Sequence, residues 1–306
     1  MTTIALVIPS YARPEQLARA LASAERQSRR FDEIVVAVRG DDHATIGALT
    51  SLPVRVVTVD DPGVLAAMTA GALATTSDVV AFTDDDAELA EHWAQFVIDV
   101  MERPGNDDVG GIGGRDVIYD GDHARPTELT GRVGEVTYWG RLIGNHHCGS
   151  ANNREVVVLK GVNCAYRRRA LGLPHGLLGA GAQAHFEVAV GRHALDGGWR
   201  LLYFSELTVI HRPADRRGDD QRASPSDEAV FNSAFNLMRG LPRRVQSRRW
   251  LYVHLIGDRA TPGVIRCLYA LMRRDRATLA RRAPSWRAST AAWRVRATPL
   301  EFTTLS

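Results

Sequence analysis

Hydrophobic and polar positions alternate along the first hundred residues in a repeating way. Ile4-Ala5-Leu6-Val7-Ile8 is a short uninterrupted apolar run closed by Pro9-Ser10, as suits a strand buried on both faces. From Pro14 to Gln27 the period changes, with Leu17, Ala20, Leu21 and Ala24 on one helical face. Ile34–Val38 and Val54–Val59 predict two further strands, and Asp60-Asp61-Pro62-Gly63 breaks the second. A helix over Val64–Ala74, a strand over Val79–Phe82 and a helix over Ala90–Met101 complete the series. Strand–helix alternation of this kind predicts an α/β fold with a doubly wound, mostly parallel sheet, in which ligands bind beyond the carboxyl ends of the strands. Ser10, Arg39, Asp41, Asp60, Asp61 and Asp84-Asp85-Asp86 all lie at such ends.

The rest of the chain is less periodic. Residues 105–150 are rich in Gly, Asp and His and predict short strands and loops. Val156–Leu159 predicts a strand, Gly161–Arg168 a lead into a short helix, Phe186–Leu195 a helix and Trp199–Phe204 a strand. Arg212–Ser226 is polar and predicts a mobile loop, and helices with arginine-rich faces follow from Asp227.

Composition narrows this picture modestly. The chain of 306 residues is 45% hydrophobic and 24% charged, ordinary for a globular protein. Met1-Thr2-Thr3 runs straight into an apolar segment without a basic region or a cleavage site, so no leader is expected, and no apolar run is long enough for a transmembrane helix. Three scattered cysteines, Cys148, Cys164 and Cys267, suit a reducing cytoplasm. The net charge of +3 hides an asymmetry: from Arg239 to Arg296 fifteen arginines stand against only Asp258 and Asp275.

The chemistry centres on Asp84-Asp85-Asp86. Adjacent carboxylates repel, and at a strand end they need a positive partner. A hard divalent cation, Mn²⁺ or Mg²⁺, supplies one, taking oxygen ligands and bridging phosphate oxygens. In extended chain Asp84 and Asp86 share one face and Asp85 the other; the bland alternative is a solvated acidic turn before a helix.

Several segments then resemble one family. Ala5-Leu6-Val7-Ile8-Pro9-Ser10-Tyr11-Ala12-Arg13-Pro14 resembles the opening strand and turn of family 2 glycosyltransferases of the GT-A fold. Val79-Val80-Ala81-Phe82-Thr83-Asp84-Asp85-Asp86 resembles their strand and DxD motif, and Leu159-Lys160-Gly161-Val162-Asn163-Cys164-Ala165-Tyr166-Arg167-Arg168 the start of their acceptor half. Gly198-Trp199-Arg200-Leu201-Leu202-Tyr203, followed by His211, resembles the strand and histidine that close the site. The resemblance implies a GT-A-type domain over residues 1–225, with a nucleotide-sugar half (1–115) and an acceptor half (116–225), then an arginine-rich helical extension over 226–306. It implies that Pro9, Ser10, Tyr11 and Arg13 lie against the nucleotide, that Arg39 and Asp41 contact the base, and that Asp61 meets base or ribose. Asp84 would approach ribose and metal, Asp85 would neighbour the donor, Asp86 would ligate the metal, and His211 would complete the metal or diphosphate site.

An acceptor hydroxyl needs a base to take its proton. The family's Glu-Asp pair before the Gly-Trp strand is missing from Gly179-Ala180-Gly181-Ala182-Gln183-Ala184-His185-Phe186-Glu187. Glu187 is the only carboxylate there and is the candidate base, with His185 second; the alternative for Glu187 is a helix-start carboxylate favoured by the helix dipole. Gly110-Gly111-Ile112-Gly113-Gly114 is not a dinucleotide fingerprint and predicts close backbone approach to substrate. Asn145-His146-His147-Cys148 lacks zinc spacing and predicts either a lid over the donor or an ordinary loop.

The basic C-terminal helices, with Trp250, Tyr252, Tyr269, Trp286 and Trp293, suit either a face packed on the core or on a second copy in a homo-oligomer, or an anionic membrane surface; nucleic acid is disfavoured. The combined expectation is a metal-dependent, inverting glycosyltransferase. It would use a nucleoside diphosphate sugar and a hydroxyl acceptor, lipid-linked or cell-wall glycan by the resemblance, in the cytoplasm or on the membrane's inner face. The alternatives are a sugar-phosphate nucleotidyltransferase, against which the glycine-free turn after the first strand counts, and a non-catalytic sugar-nucleotide-binding protein.

Overall fold

The computed structural model describes residues 1–214 and 225–305. The N-terminal half follows the predicted alternation, with α2 and β5 in addition: β1 (Ile4–Ser10), α1 (Pro14–Glu25), β2 (Glu33–Arg39), α2 (His43–Leu49), β3 (Arg55–Val59), α3 (Val64–Leu73), β4 (Val79–Phe82), β5 (Ala87–Leu89) and α4 (Trp93–Met101). Then come β6 (Val109–Asp120), β7 (His123–Ala124), β8 (Glu135–Val136), β9 (Leu142–Ile143), β10 (Arg154–Val156), β11 (Cys164–Arg167), β12 (Gly172–Pro174), α5 (Phe186–Asp196) and β13 (Arg200–His211). The C-terminal part holds α6 (Asp227–Gly240), α7 (Arg243–Leu255), α8 (Val264–Met272), α9 (Arg276–Ala280), α10 (Arg282–Arg294) and β14 (Phe302–Thr304).

Ten strands form one mixed, mostly parallel sheet with the central order β10-β13-β6-β11-β4-β1-β2-β3. β1, β2, β3 and β4 run parallel, and so do β6 and β13. β11 lies antiparallel between β4 and β6 and joins the two parallel blocks. The apolar run of β1 is unbroken because both of its faces are covered: Ile4, Leu6 and Ile8 enter one core with Leu17 and Trp93, and Val7 enters the other with Val80 and Phe82.

The structure corrects or sharpens three expectations. The helix expected from Ala90 begins at Trp93, because Ala87–Leu89 is drawn into the sheet as β5, antiparallel to β13, with Ala87 opposite His211. Gly161–Arg168 does lead into a short helix, the 3-10 turn Arg168–Ala170, but Cys164–Arg167 first form strand β11, paired with β4 on one side and β6 on the other. The stretch expected to hold only short strands contains the twelve-residue β6 at the sheet's centre. Its glycines face packed neighbours. A side-chain carbon on Gly110 would meet Trp199 and Ala170, one on Gly111 Leu201 and Tyr166, and one on Gly114 the backbone of Leu207. The glycines therefore admit large neighbours to the core. Of the polar stretch Arg212–Ser226, residues 215–224 lie outside the described residues.

The C-terminal helices pack on the α/β part. Leu237 and Leu241 at the end of α6 join Val158 and Val188 in an apolar cluster, and β14 pairs with β12. Among the described residues no helix is long and apolar enough to cross a membrane.

The glycine strand can be tested directly. Gly114→Ala should lower the unfolding free energy by about 3 kcal/mol, through overpacking against Leu207. Gly131→Ala, where a side chain meets open space, should change it by less than about 0.5 kcal/mol. Urea denaturation with unchanged slope measures both.

Candidate active site

The turn after β1 is held by side chains of the next crossover. Ala12 takes a left-handed backbone (φ 55°), and its N–H donates to Asp42 Oδ2 at 2.5 Å. The other oxygen of Asp42 accepts the Thr45 N–H at 3.1 Å and caps α2. Pro14 then opens α1, which leaves Arg13 aimed across the strand ends.

Arg13 reaches the acidic triplet. Its guanidinium donates to Asp85 Oδ1 at 3.0 Å and lies 3.8 Å from Asp86 Oδ2. The Ser10 hydroxyl donates to Asp85 Oδ2 at 2.9 Å. Asp85 is thus buried and committed to the β1–α1 turn. Burial pushes its carboxyl up, and Arg13 only partly offsets this.

Asp84 and Asp86 converge with His211; one ligand atom from each lies within 4.8 Å of the others. The pairing of β5 with β13 causes this, since it sets Ala87 opposite His211 and so brings the preceding Asp86 beside the imidazole. The Asp86 carbonyl accepts the Arg212 N–H at 2.9 Å, and its Oδ2 accepts the Ala214 N–H at 2.8 Å. His211 Nδ1 stands 3.3 Å from Oδ2 of Asp116, a fully buried residue of β6 whose same oxygen binds the Lys160 ammonium.

Three buried atoms here have no hydrogen-bond partner among the described residues: Asp86 Oδ1, His211 Nε2 and Asp116 Oδ1. The first two are 3.3 Å apart without hydrogen-bond geometry. Buried polar atoms are ordinarily satisfied. Two carboxylates and an imidazole, with an orphaned oxygen and an orphaned nitrogen facing each other, fit a hard divalent cation.

The charges are strongly linked. Burial, and then the charge of Asp86, push the Asp84 carboxyl up to about 6. Burial acts in the same direction on Asp86, but His211, the Ala214 N–H and Arg13 hold that carboxyl below its ordinary value. Asp116 is held down at about 2, because hydrogen bonds and charge from His211 and Lys160 outweigh its burial. Burial disfavours the imidazolium of His211, yet Asp116 and Asp86 outweigh it and push the group up to about 9.

Two cavities meet at this cluster. One, of about 250 Å³, is walled by Pro9, Ser10, Tyr11, Arg13, Arg39, Asp84, Asp85 and Asp86. Arg39 lies 5.0 Å over the Tyr11 ring and pairs with Asp41 at 2.7 Å, while Asp41 itself is exposed and off the cavity wall. The other cavity, of about 620 Å³, carries Asp84, Lys160, Glu187 and His211. Asp84 lines both. Segment 181–183 is tied to the start of α3: Gly181 O accepts the Val64 N–H and Gln183 Oε1 the Leu65 N–H, each at 2.9 Å.

Asp61 is set apart, lining a separate cleft with Leu65 and His175. His185 faces a third cavity, beside Arg141 and Arg259, and the left-handed turn at its φ of 71° separates it from Glu187. Residues 145–148, read as either a lid over the donor or an ordinary loop, form a short 3-10 turn (His146–Cys148) with His146 and Cys148 buried. His146 Nε2 meets Val158 O at 2.9 Å, Tyr203 donates to His146 O at 3.0 Å, and burial lowers the His146 imidazole to about 4. None of these four residues lines either of the two cavities that meet at the triplet.

The sequence pattern does not single out Asp116 and Lys160 as site residues. The one signal it holds is a lone carboxylate in the middle of a strand of small and apolar residues, where an ionised group needs partners.

Residues 5–172 match the family model described as glycosyl transferase family 2. Among solved structures the chain is similar to the mannosyltransferase PcManGT from Pyrobaculum calidifontis in complex with GDP-Man and Mn²⁺. The two are 15% identical, with a TM-score of 0.53, over 97% of this chain and 87% of that one. It is also similar to a structure described as a mycobacterial protein, at 18% identity and a TM-score of 0.49, over 81% of this chain and 74% of that one. No curated protein matches it. The likeness extends to the fold, which is GT-A-like.

Because His211 is raised from 6.5 to about 9, its stabilisation is fully present below pH 6.5 and is lost as the pH rises through about 9. In chelator-treated protein, denaturant unfolding should show stability falling across that window, and His211→Gln should flatten the limb. An unchanged limb would place the imidazole's partners elsewhere.

Proposed function

Since the chain belongs to glycosyl transferase family 2 and is a glycosyltransferase, we propose that it moves a sugar from a nucleoside diphosphate donor to an acceptor hydroxyl, with inversion, where its two cavities meet. The observation that carries this reading is the facing pair of orphaned atoms, Asp86 Oδ1 and His211 Nε2, with Asp84 beside them.

The smaller cavity suits the nucleotide. Tyr11 and Arg39 form a flat, cationic platform for a base, and Pro9 and Ser10 present the strand end to the ribose. Arg13 lies at the diphosphate end with its charge largely engaged by Asp85, so its part is to hold the triplet in place. Asp84, Asp86 and His211 would hold Mn²⁺ or Mg²⁺. When bound, that ion supplies Lewis-acid neutralisation of the leaving diphosphate. Asp116, braced by Lys160, orients His211 through Nδ1 and leaves Nε2 directed at Asp86.

Asp84 belongs to both cavities, so the transferred sugar would lie beside it and the acceptor in the larger cavity. Glu187, in the first turn of α5, lines that cavity and is the residue to take the acceptor proton as the new bond forms. Attack from the Glu187 side, opposite the departing diphosphate, inverts the anomeric carbon. Asp61 and Asp41 stay in the proposal as peripheral contacts of the base or ribose.

A thermal-shift series of nucleoside diphosphates with Mn²⁺, GDP and GDP-mannose first, tests the donor assignment. A ligand at a hundredfold its dissociation constant adds about 2.7 kcal/mol of stability. Asp86→Ala should abolish the Mn²⁺-dependent part of the shift; if donor binding and its Mn²⁺ dependence survive, the metal assignment fails. Glu187→Gln should keep donor binding and lower turnover by roughly 10²–10⁴-fold. Full turnover in that variant would move the base elsewhere.

A further inference from the structure

Helix α8 is attached through a narrow face. Cys267 and Ala270 are buried, whereas Ile265, Leu268, Leu271 and Met272 are 59%, 57%, 59% and 77% exposed. Their spacing of three and four residues, with Met272 adjoining, makes one apolar stripe along the helix. The end of α7 lies alongside, since the Ile256 carbonyl accepts the Arg266 N–H at 3.2 Å, and Leu255 and Ile256 are exposed as well. Single exposed leucines need no explanation, but a contiguous stripe does.

Arginines border the stripe. Arg266 and Arg273 lie 5.2 and 4.7 Å from the Tyr269 ring centre, and Arg259, Arg274 and Arg276 are exposed beside the helix ends. The only carboxylates between Arg239 and Arg296 are both engaged within the fold. Asp258 accepts the Ala260 and Thr261 N–H groups at 3.0 and 2.8 Å, and Asp275 caps α9 through the Thr278 N–H at 3.0 Å. The tryptophans of this region do not contribute to the stripe: Trp250 packs 5.8 Å from Trp293, and Trp286 donates to Pro262 O at 2.9 Å.

We propose that α8 docks the protein on an anionic lipid surface. Ile265, Leu268, Leu271 and Met272 would enter the boundary between headgroups and acyl chains, and the flanking arginines would meet lipid phosphates. Charge decides against a second copy as the occupant. A two-fold contact through this face would set the same arginines against each other, with no free carboxylate from this stretch to receive them. An anionic bilayer supplies both the apolar phase and the opposite charge. The inference does not depend on the donor or the metal.

Co-sedimentation of the full chain with vesicles tests it, comparing equimolar phosphatidylglycerol and phosphatidylcholine with phosphatidylcholine alone. Binding should be at least about tenfold tighter to the anionic vesicles and should fall with salt. The combined substitution Arg266→Gln, Arg273→Gln and Arg274→Gln should weaken it by roughly a hundredfold, at about fivefold per arginine. Leu268→Gln with Met272→Gln should weaken it by at least about tenfold, with an unchanged melting temperature. Equal binding to both vesicles, no binding to either, or a concentration-dependent dimer that Leu268→Gln disperses would each overturn the proposal.

Discussion

The crowding of three consecutive carboxylates, Asp85 and Asp86 buried and Asp84 half-buried, at the end of an apolar strand is the constraint on which the rest of this site depends. Asp84, Asp85 and Asp86 follow the fully buried β4 after Thr83, and none can stay ionised there without compensation. Each is handled differently. Asp85 turns back to Ser10 and Arg13 and ties β4 to the β1–α1 turn. Asp86 is drawn toward β13 by two backbone N–H groups, one on its carbonyl and one on its carboxylate. Asp84 remains where both cavities converge, its carboxyl raised by burial and by its neighbour.

The compensation for Asp86 extends well beyond the triplet. His211 is aligned by Asp116, and Asp116 by Lys160, so one oriented chain of charge crosses β13, β6 and the segment leading to β11. That chain requires β6 and β13 to lie side by side with large neighbours packed over β6. Gly110, Gly111 and Gly114 admit Trp199, Tyr166, Leu201 and the Leu207 backbone to positions a side chain would fill. The glycine-rich strand therefore serves the site indirectly, by letting the sheet close behind it.

Elements with an uninterrupted apolar run are legible in the sequence. β1 and β4 are buried on both faces, so nearly every residue carries the signal. β6 is not legible, because glycines supply no hydrophobic period and its partners, β11 and β13, are distant in sequence. The residues around β5 resemble the approach to a helix for a related reason. Three residues hold little periodic information, and only pairing with β13 makes them a strand. α2 is hidden in a polar context and rests on the Asp42 cap.

Taken alone, the sequence determined the α/β class and the strand ends that would carry chemistry, since these follow from local periodicity; the triplet, expected as extended chain, instead turns at Asp85-Asp86, with the Ala87 N–H on the Asp84 carbonyl. Tertiary structure decided the rest. It set Asp61 and His185 in clefts away from the triplet, placed His146 under Tyr203 as a packing residue, and recruited Asp116 and Lys160 to His211. The physical reason is that a carboxylate's partner in a sheet is chosen by strand order and register. Those depend on pairings between segments many residues apart, which leave no mark in the spacing of either segment.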